Sequence, residues 1–200
     1  MYRHISARGE DLAKEPTSVK EVLVRIKDIT TLIVDLSYAT LILRDKTLAE
    51  EVITLEKEID RLLRQMQTMI MLAARDTEDA EALQSILTVA LAADRISNAA
   101  GDIVYPILKG VEPHPVLLEG LKQIDEPFVV ARVSPKSVLC RKSMNSKSIR
   151  MRLGVDIVAV QRGDRWIIRP TGVDKILPDD ILIARGENAG VGKLKELATG

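Results

Sequence analysis

Aromatic side chains make up only 2% of this 200-residue chain: one Trp, one Phe and three Tyr. Its cores must therefore be built from Leu, Ile, Val, Ala and Met, which suits helix–helix ridges and small sheets. Cysteine is nearly absent too. Cys140 stands alone, which excludes an intramolecular disulfide framework and fits a reducing cytoplasm. It has no CxxC partner, and the only histidines are His4 and His114, so a structural zinc site is not expected. Neither sign of charge is in excess, with 29 Lys+Arg against 29 Asp+Glu. A neutral chain disfavours non-specific phosphate contacts, and no nucleic-acid partner is expected. No apolar run approaches the ~20 residues of a membrane span. The best one, Met66 to Ala74, is broken by Gln65, Gln67 and Arg75. Met1 to Pro16 carries Arg3, Arg8, Glu10, Asp11 and Lys14 and no apolar centre, unlike a secretory signal. These absences predict a soluble cytoplasmic protein with no direct membrane insertion, which leaves it free to dock onto a membrane protein.

What is present is a chain of two unlike halves, 46% apolar overall. Residues 1–16 read as a flexible arm, 17–109 as a helical bundle, 110–127 as a linker and 128–200 as a small α/β domain. Ser18 with Glu21 three residues on forms a capping-box pattern at the start of the first helix. That helix runs to about Leu43, with Val19, Val22, Leu23, Ile26, Ile29, Ile33 and Leu36 as its stripe. Within it Asp35, between Val34 and Leu36, is expected to be buried with a partner from another helix or Tyr38. The second helix, about 46–75, has the cleanest period: Leu48, Val52, Leu55, Ile59, Leu62, Met66, Met69 and Ala73 form an a/d seam.

The third helix, about 78–109, has one complete stripe at Ile86, Val89, Ala93, Ile96, Ala100, Ile103 and Ile107. A second seam runs beside it through Leu83, Leu87, Ala90, Asp94, Ser97, Gly101, Val104 and Leu108, polar or tiny in its middle. Two-sided apolar helices would expose a large patch in a monomer, so a second copy is expected to complete the bundle. On this reading Leu62→Asp or Val89→Asp unfolds or monomerises the protein. Beyond Pro127 the period shortens. Phe128–Val133, Val155–Gln161, Trp166–Ile168 and Ile181–Ala184 are predicted strands, residues 146–153 a short helix, and 190–198 a last one. Residues 162–165 form the predicted hairpin turn.

The order Arg152-Leu153-Gly154-Val155, then Arg162-Gly163, then Arg169-Pro170, then Asp179-Asp180-Ile181-Leu182 resembles the TrkA-C domain, the C-terminal RCK domain of potassium channel and transporter regulators. The resemblance covers about 60 residues. Asp179 stands where that family usually has Gly. The resemblance implies dimerisation and sensing of a small ligand, cyclic dinucleotides being known for some members. From the residues themselves, a helix N-terminus near Asn145, Ser146 and Lys147, with Arg150, Arg152 and Arg162 close by, suits an anion such as a phosphate or cyclic nucleotide. Solvated surface charge is the competing reading of each Arg. The segment holds no nucleophile beside a base and no cleft-like carboxylate pair, so no enzyme is expected.

The helical half resembles the PhoU domain, whose three-helix bundles carry Glu/Asp-x-x-x-Asp motifs that hold metal ions. Glu56-Lys57-Glu58-Ile59-Asp60 matches the first motif; on the third helix Asn98 replaces the expected acid after Asp94, and Ala99 stands where His is common. Helical spacing alone sets Asp94, Asn98 and Asp102 on one face, where oxygen ligands facing Glu56 and Asp60 suit a divalent or iron ion. Ion pairing of Glu56 with Arg61 or Arg64 competes with that reading.

The fold class expected is thus α+β in two domains: an antiparallel three-helix PhoU-like bundle followed by a small α/β TrkA-C domain. The function expected is a non-enzymatic regulator of cation transport, potassium transport above all being what the resemblance implies, with a membrane transporter or channel and a second copy as partners. The 110–127 connector is its natural hinge. The alternative is a metal-binding PhoU-like modulator of phosphate transport or signalling.

Overall fold

The computed structural model describes residues 16–121, 126–144, 146–163 and 165–200, with the backbone alone of 118 and 146–148. The expected arm 1–16 lies outside them except for Pro16, whose carbonyl accepts a hydrogen bond from Gln65 Nε2 at 2.9 Å. The chain divides into two compact units, one ending at His114 and one running from Pro115 to Gly200. Among the described residues, no helix is long and apolar enough to cross a membrane.

The first unit is three mutually packed helices: α1 (Val19–Leu43), α2 (Lys46–Ala73) and α3 (Thr77–Leu108). Each begins on a side chain that accepts an otherwise orphan N–H. Ser18 Oγ caps Glu21 N, Asp45 caps Leu48 N and Asp76 caps Asp79 N. Glu21 completes its half of the box one residue early, accepting from Thr17 N at 2.7 Å. Arg44 ends α1 in the left-handed conformation at φ 55°, so two residues suffice to turn into α2.

The a/d seam of α2 is buried as its period predicts at Leu48, Val52, Ile59, Leu62 and Met66. It then slips to Ile70, leaving Ala73 exposed. These residues pack with Val22, Ile26 and Ile29 of α1 and with Ala90 of α3. Asp35 is buried and has a partner, as its apolar flanks require.

Helix α3 has the two apolar faces that its sequence shows, and the unit buries only one of them. The face it buries is the seam with the small and polar centre: Ala90, Ser97, Gly101 and Val104, with Ala100 and Ile107 at its border. The uninterrupted apolar stripe stays partly in solvent, with Val89 58% and Ile96 49% exposed. Close approach explains the choice, since small side chains let the backbone of α3 sit nearer to α2 and bury more of its partner's surface. Leu62 and Val89 therefore separate as test positions. Leu62 is fully buried and belongs to the fold, whereas Val89 belongs to the surface.

The second unit opens with the short helix α4 (Pro115–Gly120) and contains β1 (Phe128–Arg132), α5 (Ser146–Leu153), β2 (Val155–Arg162), β3 (Arg165–Ile168), β4 (Ile181–Gly186) and α6 (Asn188–Thr199). The strands form one antiparallel sheet ordered β1-β4-β2-β3, with a register shift in β2 between Ile157 and Ala159. One core gathers Val129 and Ala131 of β1, Leu182 and Ala184 of β4, and Val155, Ile157 and Val160 of β2 against Ile149 of α5 and Leu194 and Ala198 of α6. Trp166 is buried in β3, as expected of the only Trp. An α+β chain with three long helices followed by a small four-stranded domain is what the sequence implied.

The position of Asp179, where Gly is usual in the family it resembles, is a bend in the backbone. Asp179 sits at φ 66°, a left-handed position where an L side chain is strained and Gly is at ease. Its N–H still donates to Val133 O at 2.8 Å, so the bend is fixed by the backbone. Asp179→Gly is expected to raise stability by roughly 0.5 kcal/mol, the relief of strain being partly offset by the greater freedom of Gly in the unfolded chain. A higher urea midpoint at unchanged slope is the result to look for.

Candidate functional site

Of the six residues picked for an anion in the second unit, Asn145 lies outside the described residues. Ser146 and Lys147 open α5 with only their backbone described. Arg150 and Arg152 are in the last turn of that helix. Arg150 Nη1 is paired with Asp156 Oδ2 at 2.7 Å, in an exposed bridge that leaves most of the guanidinium in water. Arg152 is exposed and has no partner among the described residues.

Arg162 is engaged differently from both. Its Nε and Nη2 both bond the carboxylate of Asp180, each at 2.8 Å, and Nη2 also donates to Lys175 O at 2.7 Å. Asp180 is 1% exposed and accepts a further bond from Leu177 N at 2.8 Å. The hydrogen bonds and charge of Asp180 hold the Arg162 guanidinium protonated even more firmly than usual, against the opposing effect of burial. A two-pronged fork on a buried carboxylate is a structural latch between the end of β2 and the turn before β4. Its signal lay in the sequence as Arg162-Gly163 and Asp179-Asp180, but nothing there showed that the two would meet.

In the first unit the acidic residues do share one seam between α2 and α3. Burial raises the Glu56 carboxyl above its ordinary range, and the charges of Asp60, Asp102 and Asp94 add to that against Lys57. Asp94 is raised by burial, then by the charge of Asp60 and a hydrogen bond shared with it. Asn98 Nδ2 donates to Asp94 Oδ2 at 3.4 Å. Gly101 makes room for the whole arrangement: a Cβ there would lie 2.5 Å from Glu56 Oε2. Ser97 Oγ is buried beside them with no hydrogen-bond partner.

The five residues read as metal ligands, Glu56, Asp60, Asp94, Asn98 and Asp102, lie along this seam. Among the described residues, no three His, Cys, Asp or Glu side chains converge as a ligand set. Asp60 and Asp94 stand close enough on the seam for the charge of one to act on the other. Asn98 offers Asp94 its amide N–H, where a cation needs an oxygen. Glu56 lies along Gly101. The seam is a polar contact between α2 and α3 in which burial and neighbouring like charges raise the Glu56 and Asp94 carboxyls.

No curated protein sequence matches the chain. Among solved structures, the RCK C domain of the potassium transport protein KtrA in complex with cyclic diadenosine monophosphate is similar at 25% identity, covering 40% of this chain and 91% of that one, with a TM-score of 0.33. The GsuK RCK domain is similar at 16% identity over 57% of this chain and 24% of that one, also at 0.33. BusR of S. agalactiae in complex with its busAB-promotor DNA is similar at 13% identity over 84% of this chain and 95% of that one, again at 0.33. Family models match residues 23–106 as a PhoU domain and residues 128–199 as a TrkA-C domain. The two matches fall on the two units in turn, and the chain is a PhoU domain followed by a TrkA-C domain.

Proposed function

We propose that this chain is a regulator of cation transport, potassium transport above all, whose TrkA-C domain senses a small anionic ligand and whose PhoU domain carries the response to a membrane transporter or channel. The observation that carries this reading is the TrkA-C domain over 128–199, of the kind found in potassium channel and transporter regulators. The chain acts by binding, not by catalysis. Arg152, and Arg150 once Asp156 releases it, supply the guanidinium contacts at the C-terminal end of α5. Cyclic dinucleotides are the first ligand class to try, being known for some members of the family. For a ligand to act as a signal it must bind one arrangement of the two domains better than the other, and the segment around 110–127 is where they are joined. The metal-dependent phosphate modulator is less well supported, because the acidic seam lacks a convergent ligand set.

The test is thermal unfolding of the full chain with cyclic diadenosine monophosphate, cyclic diguanosine monophosphate, ATP, Mg²⁺ and Mn²⁺ in turn. A ligand at a hundredfold over its Kd adds about 2.7 kcal/mol to the state that binds it. Stabilisation by a cyclic dinucleotide, lost in Arg152→Ala, is the expected result. Indifference to all three nucleotides would overturn ligand sensing, and stabilisation by the metal alone would favour the other reading.

A further inference from the structure

The apolar stripe that α3 does not use inside its own unit has a definite design. From Ala82 to Pro106, roughly 36 Å of helix, one flank carries Ala82, Ser85, Val89, Ala92, Ile96, Ala99 and Ile103 and no charged residue. All of these are exposed except Ile103, which is half-buried. Val89, Ile96 and Ile103 recur every seventh residue, and Ser85, Ala92 and Ala99 fall between them at the same interval. That is a seam of alternating branched and small side chains with the period of a two-helix contact. Charge brackets it unequally: Glu78, Asp79 and Glu81 lie at its start, and Lys109 stands just beyond its end.

We infer that this flank is the contact surface for a second copy of the same chain, with the two α3 helices antiparallel about a two-fold axis near residue 94. Antiparallel pairing sets Val89 against the partner's Ala99, Ile96 against the partner's Ala92 and Ile103 against the partner's Ser85, so that each branched side chain fills the gap over a small one. The same axis brings the acidic first turn opposite Lys109 of the partner subunit and opposes the two helix dipoles. A parallel pair would stack branched on branched and acid on acid. A partner of other chemistry has no reason to match the flank to itself in this way. The inference is independent of ligand sensing by the TrkA-C domain, because it concerns only residues of the first unit.

Cross-linking tests it, helped by the single native cysteine. In a full-length Cys140→Ser background, Ser85→Cys and Ile103→Cys proteins are mixed, reduced, allowed to exchange and reoxidised. Disulfides need Cα atoms about 4.4–6.8 Å apart. The expected result is a disulfide-linked dimer in the mixture and almost none from Ser85→Cys alone. Adding Val89→Glu and Ile96→Glu to both proteins should abolish the link at unchanged helical circular dichroism, since both positions are at the surface. Self-linking of Ser85→Cys would overturn the antiparallel arrangement. Absence of any link would overturn the interface altogether, even where the chain dimerises through its other domain.

Discussion

Gly190→Ala is expected to unfold the TrkA-C domain at a temperature about 15 °C below the parent, whereas Gly192→Ala, two residues on, raises it by a few degrees. Both glycines lie in α6 at ordinary negative φ, so their backbone conformation does not distinguish them. Their surroundings do. A Cβ at Gly190 would fall inside the carbonyl oxygen of Leu153 and 3.0 Å from its carbonyl carbon, where α6 crosses the end of α5. The obstacle is backbone, with Val155 Cγ1 close behind at 3.1 Å, so it cannot swing aside as a long side chain would. Gly186 is held in the same way, its missing Cβ pointing at Gly154 O and 2.7 Å from Val155 Cα. Separating α6 from the 153–155 segment would open the core around Leu194 and Ala198, at about 3 kcal/mol or more. Gly192 has nothing within 4 Å of its Cβ, and there alanine simply restricts the unfolded chain and favours the helix by about 0.5–1 kcal/mol. Trp166 is the only Trp and is buried in the sheet, so its fluorescence reports this unit and not the helices. Equal midpoints for the two variants would show that the α5–α6 crossing can relax.

These glycines mark the limit of what the sequence discloses. A close approach between residues 190 and 153 has no local signature, because the crowding is made by a segment nearly forty residues away. Periodicity, by contrast, is local. The a/d spacing of α2 located its buried face, and the shift to β-branched runs after Pro127 located all four strands. On α3 periodicity marked both faces but not which of them the unit buries. Two adjacent faces were available, and hydrophobicity favours the one with Val89 and Ile96, while packing favours the one with Ala90, Ser97 and Gly101, which admits a closer neighbour. The departure at Asp179 was visible as a missing Gly, but its meaning, a left-handed bend, was not. For the candidate sites, helical spacing was enough to bring Glu56, Asp60, Asp94 and Asp102 to one seam. It could not show that burial and the neighbouring charge of Asp60 raise the Asp94 carboxyl, which depends on orientation. Arg150 and Arg152 could be placed on one short helix, but the partner of Arg162 stands eighteen residues away across a turn.

Arg162→Met is expected to destabilise the TrkA-C domain by about 3 kcal/mol, because it leaves the Asp180 carboxylate buried without its counter-charge. Asp180 would keep only the N–H of Leu177, and a single neutral donor does not offset the desolvation of a carboxylate that is 1% exposed. Arg162→Lys should recover only part of the loss. Lysine restores the positive charge but cannot place two donors on Asp180 and a third bond on Lys175 O at once. Arg162→Met combined with Asp180→Leu should recover more than Arg162→Lys, since removing both charges abolishes the buried debt that either single change leaves. Denaturant unfolding followed by Trp166 fluorescence orders the three variants. The same series separates a latch from a ligand contact: a latch predicts that the double variant, once refolded, still responds to whichever anion stabilises the parent. If instead Arg162→Met unfolds like the parent yet no longer responds to that anion, then Arg162 meets the ligand and the Asp180 fork is what the ligand displaces.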